Sequence, residues 1–168
     1  YYMPILLEAY GLTTDDVQIT ETALQDICDA VNDGNADFGV HITPYTSSPI
    51  ADLAATKGIK LISLDQEHID KIVAENPFFF ETTIPGGTYT GIDNDTVVIG
   101  TRNNLVCARS VDEDVVYNVV KTIIEHQDEL PDIHPQAKMF NKENAVDGAL
   151  IDIHPGAAKY YKEIGIMN

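Results

Sequence analysis

The stretch Ala36-Asp37-Phe38-Gly39-Val40-His41-Ile42-Thr43-Pro44-Tyr45-Thr46-Ser47-Ser48-Pro49 decides how this chain is read. Ala36 to Ile42 has the make-up of a strand. Thr43 to Ser48 is a turn dense in hydroxyls, and Ser48 before Pro49 reads as an N-cap with a first-turn proline. Leu53 to Thr56 continue that helix and Gly58 closes it. Strand, loop and helix in this order form the repeating unit of an α/β protein, and ligands of open α/β sheets sit beyond the strand ends.

The same alternation extends on both sides. Upstream, Ile5 to Tyr10 is a short apolar helix ended by Gly11, and Val17 to Thr20 is a brief strand. Thr22 and Gln25 have capping-box spacing before Leu24, Ile27, Cys28 and Val31, which recur at helical period until Gly34. Downstream, Ile59 to Leu64 reads as a buried strand. Asp65 is placed to cap a helix with Ile69, Ile72 and Val73, which stops before Asn76-Pro77. The expected fold class is therefore α/β, with a mostly parallel sheet covered on both faces.

The second half has a different texture. Phe78 to Thr83 and Thr96 to Ala108 read as extended, separated by a glycine-rich turn. Ser110 and Glu113 suggest another capping box, ahead of Val115, Val116, Val119, Val120, Ile123 and Ile124 on one helix face. Pro131 and Pro135 bracket a loop, Asn141 to Val146 is a short helix, and His154-Pro155-Gly156-Ala157 opens a last helix ending at Gly165. The change of character across Phe78 to Gly91 marks a lobe boundary, giving residues 1–83 and 84–168.

Composition narrows the function. The 168 residues include ten basic and 27 acidic side chains, for a net charge of −17, and the basic ones form no stripe. Phosphate-backbone binding needs the opposite balance, so nucleic acid is not expected as a partner. Acidity does not exclude an anionic ligand, because helix N-termini bind anions through backbone amides. Cys28 and Cys107 are far apart without a CxxC pattern and read as buried free thiols rather than a disulfide. No stretch reaches the length of a membrane-spanning helix. The start at Tyr1-Tyr2-Met3-Pro4, with neither initiator methionine nor basic n-region, is expected to lie inside a longer protein.

Two chemistries compete for the polar residues. Asp132 with His134, and Asp152 with His154, form local Asp-x-His pairs suited to metal ligation, so a metal-assisted hydrolase is one reading. Both histidines precede proline, and Asp-x-His-Pro is also turn chemistry. There is no HExxH, no Gly-x-Ser-x-Gly, and no Lys-Ser/Thr after Gly86-Gly87 to make a phosphate loop. The other reading is ligand binding at Thr43–Ser48, where hydroxyls and first-turn amides converge.

Blocks spread along the chain resemble one family. They are Leu7-Glu8-Ala9-Tyr10-Gly11-Leu12-Thr13, Asp33-Gly34-Asn35-Ala36-Asp37, the turn before Pro49, and Ile84-Pro85-Gly86-Gly87-Thr88-Tyr89-Thr90-Gly91. Asn104-Leu105-Val106, Glu113-Asp114-Val115-Val116-Tyr117 and His154-Pro155-Gly156-Ala157-Ala158-Lys159-Tyr160-Tyr161 complete the series. In this order they are similar to the TAXI-type solute receptors of tripartite ATP-independent periplasmic (TRAP) transporters. The resemblance implies a type II periplasmic-binding-protein fold, with 1–83 as a second lobe incomplete at its start. Residues 84–168 would be a hinge crossover and a C-terminal segment returning to a first lobe.

It further implies a non-catalytic periplasmic or extracytoplasmic receptor, without cofactor or metal, that hands a glutamate-like or dicarboxylate-like anion to a TRAP permease. Thr43, Tyr45, Ser47 and Ser48 from the turn, with Thr88 and Tyr89 from the glycine-rich segment, are the expected ligand-binding residues. Where many relatives have a glycine-rich stretch, this chain has Thr43-Pro44-Tyr45. The valine and isoleucine face of the Val115–Ile124 helix would need cover from a further chain, such as a second copy in a homo-oligomer.

Overall fold

Local signals place the helices. The computed structural model describes residues 2–168, apart from the Pro135 side chain, so Tyr1 of the interior-start reading lies outside them. It is mixed α/β and divides into two units, Tyr1–Arg102 and Asn103–Asn168.

The first unit begins with α1 (Tyr2–Ala9), α2 (Leu24–Asp33), α3 (Ser48–Thr56) and α4 (Gln66–Glu75). Ile69 and Ile72, one turn apart on α4, are each only 1% exposed and form the centre of its core with Leu7 and Phe79. Burial of each isoleucine is worth about 1.5–3 kcal/mol. Asp65 stands at the N-cap of α4 but makes no capping bond; its carboxylate instead accepts from the Tyr10 hydroxyl at 3.3 Å. The Tyr10 ring stacks on His68 with centroids 3.8 Å apart, tying the end of α1 to the start of α4. At the other end Asn76 donates to the Ile72 carbonyl through both its backbone and its side chain, and Pro77 cannot extend the ladder.

The sheet differs from the expected parallel one. Among the described residues it has two antiparallel strands, β1 (Phe79–Ile84) and β2 (Thr96–Thr101), paired in register from Phe79 opposite Thr101 to Ile84 opposite Thr96. The segments 17–20, 36–42 and 59–64 are neither helical nor part of a ladder. For Ile59–Leu64 the cause is visible. Leu64 N–H donates to the Val97 carbonyl at 3.0 Å, but Val97 N–H turns to the Ser63 hydroxyl at 3.0 Å instead of a backbone carbonyl. A side chain has taken the place of a rung, and Ile62 is left 65% exposed. Thr96–Ala108 is a strand only as far as Thr101, because β1 begins at Phe79 after an Asn76–Phe79 turn and offers no further partner.

Because β1 and β2 pair along their length, the hairpin belongs wholly to the first unit, which runs to Arg102. Cys28 is buried on α2, as expected, whereas Cys107 is exposed in the ladder-free stretch beyond β2; both are free.

The second unit is built on α5 (Glu113–Glu125) and α7 (Pro155–Glu163), with the short α6 (Leu130–Ile133) between them. The proline-bracketed loop is in fact α6 followed by a 3-10 turn, Pro135–Met139; the expected Asn141–Val146 helix is one 3-10 turn, Lys142–Asn144, capped by Asn141. The cap of α5 is Asp112, whose carboxylate accepts from the amides of Asp114 and Val115 at 2.9 and 3.3 Å, not Ser110. A carboxylate beside the first turn is also favoured by the helix dipole.

Gly156 makes the α5–α7 contact possible: a Cβ there would run into the Glu113 carbonyl and come within 3.0 Å of Tyr117 N. At this closeness Tyr117 meets Tyr160 edge-on, with centroids 5.5 Å apart, and donates to Glu163 at 2.7 Å. Val116 and Ile124 are buried, while Val115 and Val119 of the expected apolar face remain exposed.

The Tyr117 phenol is pushed up to about 12, first by its hydrogen bond to the Glu163 carboxylate and then by burial. A raised folded-state value stabilises the fold fully below the ordinary tyrosine range, and this is lost as pH climbs through the folded value. The pH window is therefore alkaline, between about 10 and 12. An ultraviolet titration of the folded protein should show phenolates forming above the ordinary tyrosine range, with the step at about 12 lost in Tyr117→Phe; a titration unchanged in that variant would contradict the bond.

Candidate functional site

The hydroxyl-rich turn leads directly into α3. Ser47 N–H donates to the Pro44 carbonyl at 3.1 Å, closing the turn, and the Ser47 carbonyl accepts the first helical bond, from Ala51 at 3.0 Å. Ser47, rather than Ser48, is the N-cap, with Ser48 and Pro49 as the first two helical residues. Its hydroxyl makes no capping bond. Among the described residues, the side chains of Thr43, Tyr45, Thr46, Ser47 and Ser48 make no hydrogen bond within the chain. The amides of Ser48 and Ile50 likewise have no acceptor among them. Helix N-termini normally have such donors met by a side chain, by water or by a ligand. Several hydroxyls and two amides without a partner among the described residues thus belong to one short stretch at the start of a helix.

No basic side chain lies in this turn. Four of the ten basic residues and 16 of the 27 acidic ones belong to residues 1–102. Lys57, at the far end of α3, donates to the Asn32 carbonyl at 2.8 Å.

Thr88 and Tyr89 lie in the connection between β1 and β2, within the same unit. This connection is closed on itself. Gly87 N–H donates to Ile92 O at 2.7 Å, Ile92 N–H to Tyr89 O at 3.1 Å, and the Thr88 hydroxyl to Pro85 O at 2.6 Å. Gly87 adopts φ +79°, a conformation that favours glycine. Tyr89 is 3% exposed. Burial raises its phenol above the usual value, a hydrogen bond from the Ser47 backbone opposes this, and nearby Cys28 adds to the rise. Tyr89 is thus turned into the protein rather than toward solvent. The Thr88 hydroxyl points its proton inward, to Pro85.

Asp95 had no place among the expected residues, yet its carboxylate accepts from Gly86 N–H at 2.8 Å and fastens the base of the connection. The Asp93-Asn94-Asp95 run after a glycine-rich turn was its only sequence signal.

The metal reading is corrected by what its histidines do. The Nδ1 of His134 accepts from Gln136 N–H and that of His154 from Gly156 N–H, each at 3.2 Å, so both act as helix caps. Asp152 pairs with Arg109 at 3.1 Å on an exposed surface. Among the described residues no group of three or more His, Cys, Asp or Glu side chains converges on a point where an ion would sit. Asp132, His134, Asp152 and His154 therefore form no common site. Nor is any described helix long and apolar enough to cross a membrane.

Residues 1–165 match the model of the NMT1-like family, and the chain belongs to that family. The family includes periplasmic solute-binding proteins.

Proposed function

We propose that this chain is an extracytoplasmic solute receptor that captures a small organic anion, glutamate-like or dicarboxylate-like, for a TRAP-type permease. The observation that supports it most directly is the start of α3. There Ser47 leaves its cap unmade, and the Ser48 and Ile50 amides have no acceptor among the described residues. One ligand carboxylate would accept from these amides, with the hydroxyls of Thr43, Tyr45, Ser47 and Ser48 around it. Thr88 and Tyr89, both turned into the protein, would support the site from the connection between the strands rather than touch the ligand.

Isothermal calorimetry of the full gene product against amino acids and dicarboxylates tests the reading. Binding of at least one organic anion is expected, with no heat from the matching amine. Ser48→Asp separates ligand binding from folding. An acidic side chain in the first turn suits the helix dipole but occupies the place of the ligand carboxylate, so affinity should fall about tenfold or more without loss of thermal stability. Failure of every anion to bind, or full affinity in Ser48→Asp, would refute the site.

A further inference from the structure

The second unit begins with an unsupported stretch. Asn103 to Ala108 are all exposed, Leu105 by 77% and Val106 by 64%, and the stretch is neither helical nor part of a ladder. Among the described residues, Asn103 to Cys107 make no hydrogen bond by backbone or side chain. Both flanks are firm. Upstream, Thr101 pairs with Phe79, and the Arg102 guanidinium sits 4.4 Å from the Phe80 ring centre. Downstream, Val111 N–H donates to the Ala108 carbonyl at 3.1 Å, and Asp112 caps α5. Other exposed apolar residues are not offered in this way. Ile62 is held beside β2 by the bonds of Ser63 and Leu64 to Val97. Ile133 lies within α6. Leu150 and Ile151 adjoin Asp152, which is paired to Arg109, and stand close before His154, which caps α7.

An endoprotease takes its substrate as a strand, pairing with the backbone on both sides of the scissile bond and seating neighbouring side chains in pockets. Helices and ladders must open before they can supply such a segment, whereas exposed, unbonded chain supplies it directly. Asn103–Cys107 needs no opening. We propose that this stretch is a native-state cleavage site for an endoprotease selective for apolar side chains, with the scissile bond beside Leu105 or Val106. Water is the co-reactant. The C–N bond breaks, the carbonyl carbon gains the hydroxyl and ends as a carboxylate, and the nitrogen leaves as a protonated amine. The two products keep separate cores, with Ile69 and Ile72 on the N-terminal side and Val116, Ile124 and Tyr160 on the other. Cleavage therefore stops at two fragments.

Thermolysin, which cuts on the amino side of apolar residues, is the probe. The full-length protein is digested under native conditions and the fragments are identified by mass. The first products should meet between Asn104 and Val106 and then persist. Leu105→Asp combined with Val106→Asp, at two exposed positions, should slow this cut about tenfold or more at an unchanged thermal midpoint. Ile69→Ala and Gly156→Ala supply the second comparison. The first empties a buried position of the first unit, and the second forces a Cβ against the Glu113 carbonyl in the second unit. A cut that waits for unfolding accelerates as stability falls, whereas a cut in an already accessible stretch keeps its wild-type rate. A first cut elsewhere overturns the proposal, as does a double variant cut at the wild-type rate or acceleration by either destabilising change. If one set of variants does not fold, the other comparison decides.

Discussion

Gly156→Ala should destabilise the second unit by about 3 kcal/mol or more, a large effect for one methyl group. The added carbon would collide with the Glu113 carbonyl, part of the α5 backbone, which cannot swing aside as a side chain can. The two helices must separate. Separation breaks the Tyr117–Glu163 bond and the edge-on Tyr117–Tyr160 contact, and withdraws Lys159 from its place 5.1 Å from the Tyr117 ring centre. Helix propensity alone would favour alanine over glycine by about 1 kcal/mol, so the sign of the change is informative. Hydrogen exchange on α5 and α7 amides measures it locally. A stabilised unit would show that the contact has slack.

Ile69→Ala should cost about 2–5 kcal/mol, because it empties the most enclosed part of the first unit, where α4 packs on α1 and β1. Ile62→Ala is the control. Both residues are isoleucines in apolar stretches, but Ile62 is exposed and its loss should stay within about 0.5 kcal/mol. Denaturant midpoints of the two variants measure the difference. Equal losses would mean that Ile59–Leu64 is packed after all.

That pair also shows what was legible in the sequence. Helices were, because their determinants lie within one turn. Ile69, Ile72 and Val73 mark a face, Pro77 marks an end, and the terminating glycines Gly11, Gly34, Gly58 and Gly165 all take positive φ. Caps were less legible, since neighbouring polar residues compete for the same amides. Thr22 donates to Asp26 at 2.6 Å, and Gln25 to Asp29 at 2.9 Å, so neither takes part in the expected capping box. Strands were least legible. An apolar run becomes a strand only if a partner elsewhere presents its backbone, and the Ser63 hydroxyl was enough to replace that partner at Val97.

The candidate site divides in the same way. The hydroxyls of Thr43–Ser48 can be read directly, and so can the turn at Gly86-Gly87. That Tyr89 is buried depends on tertiary placement, which no local pattern encodes. Asp-x-His-Pro was ambiguous for a deeper reason: a capping histidine and a ligating histidine offer the same nitrogen.

The capping histidines have a chemical consequence. A ring nitrogen that accepts an amide proton cannot carry a proton of its own, so His154 is held as a single tautomer with hydrogen on Nε2. That Nε2 is buried without a partner. Its lone pair belongs to the aromatic ring, and the one in-plane lone pair of the imidazole already faces Gly156. A zinc ion arriving at this histidine would compete with the start of α7 for that electron pair. Coordination there would loosen the segment that carries Gly156 against α5, so the metal would act on this motif as a local denaturant.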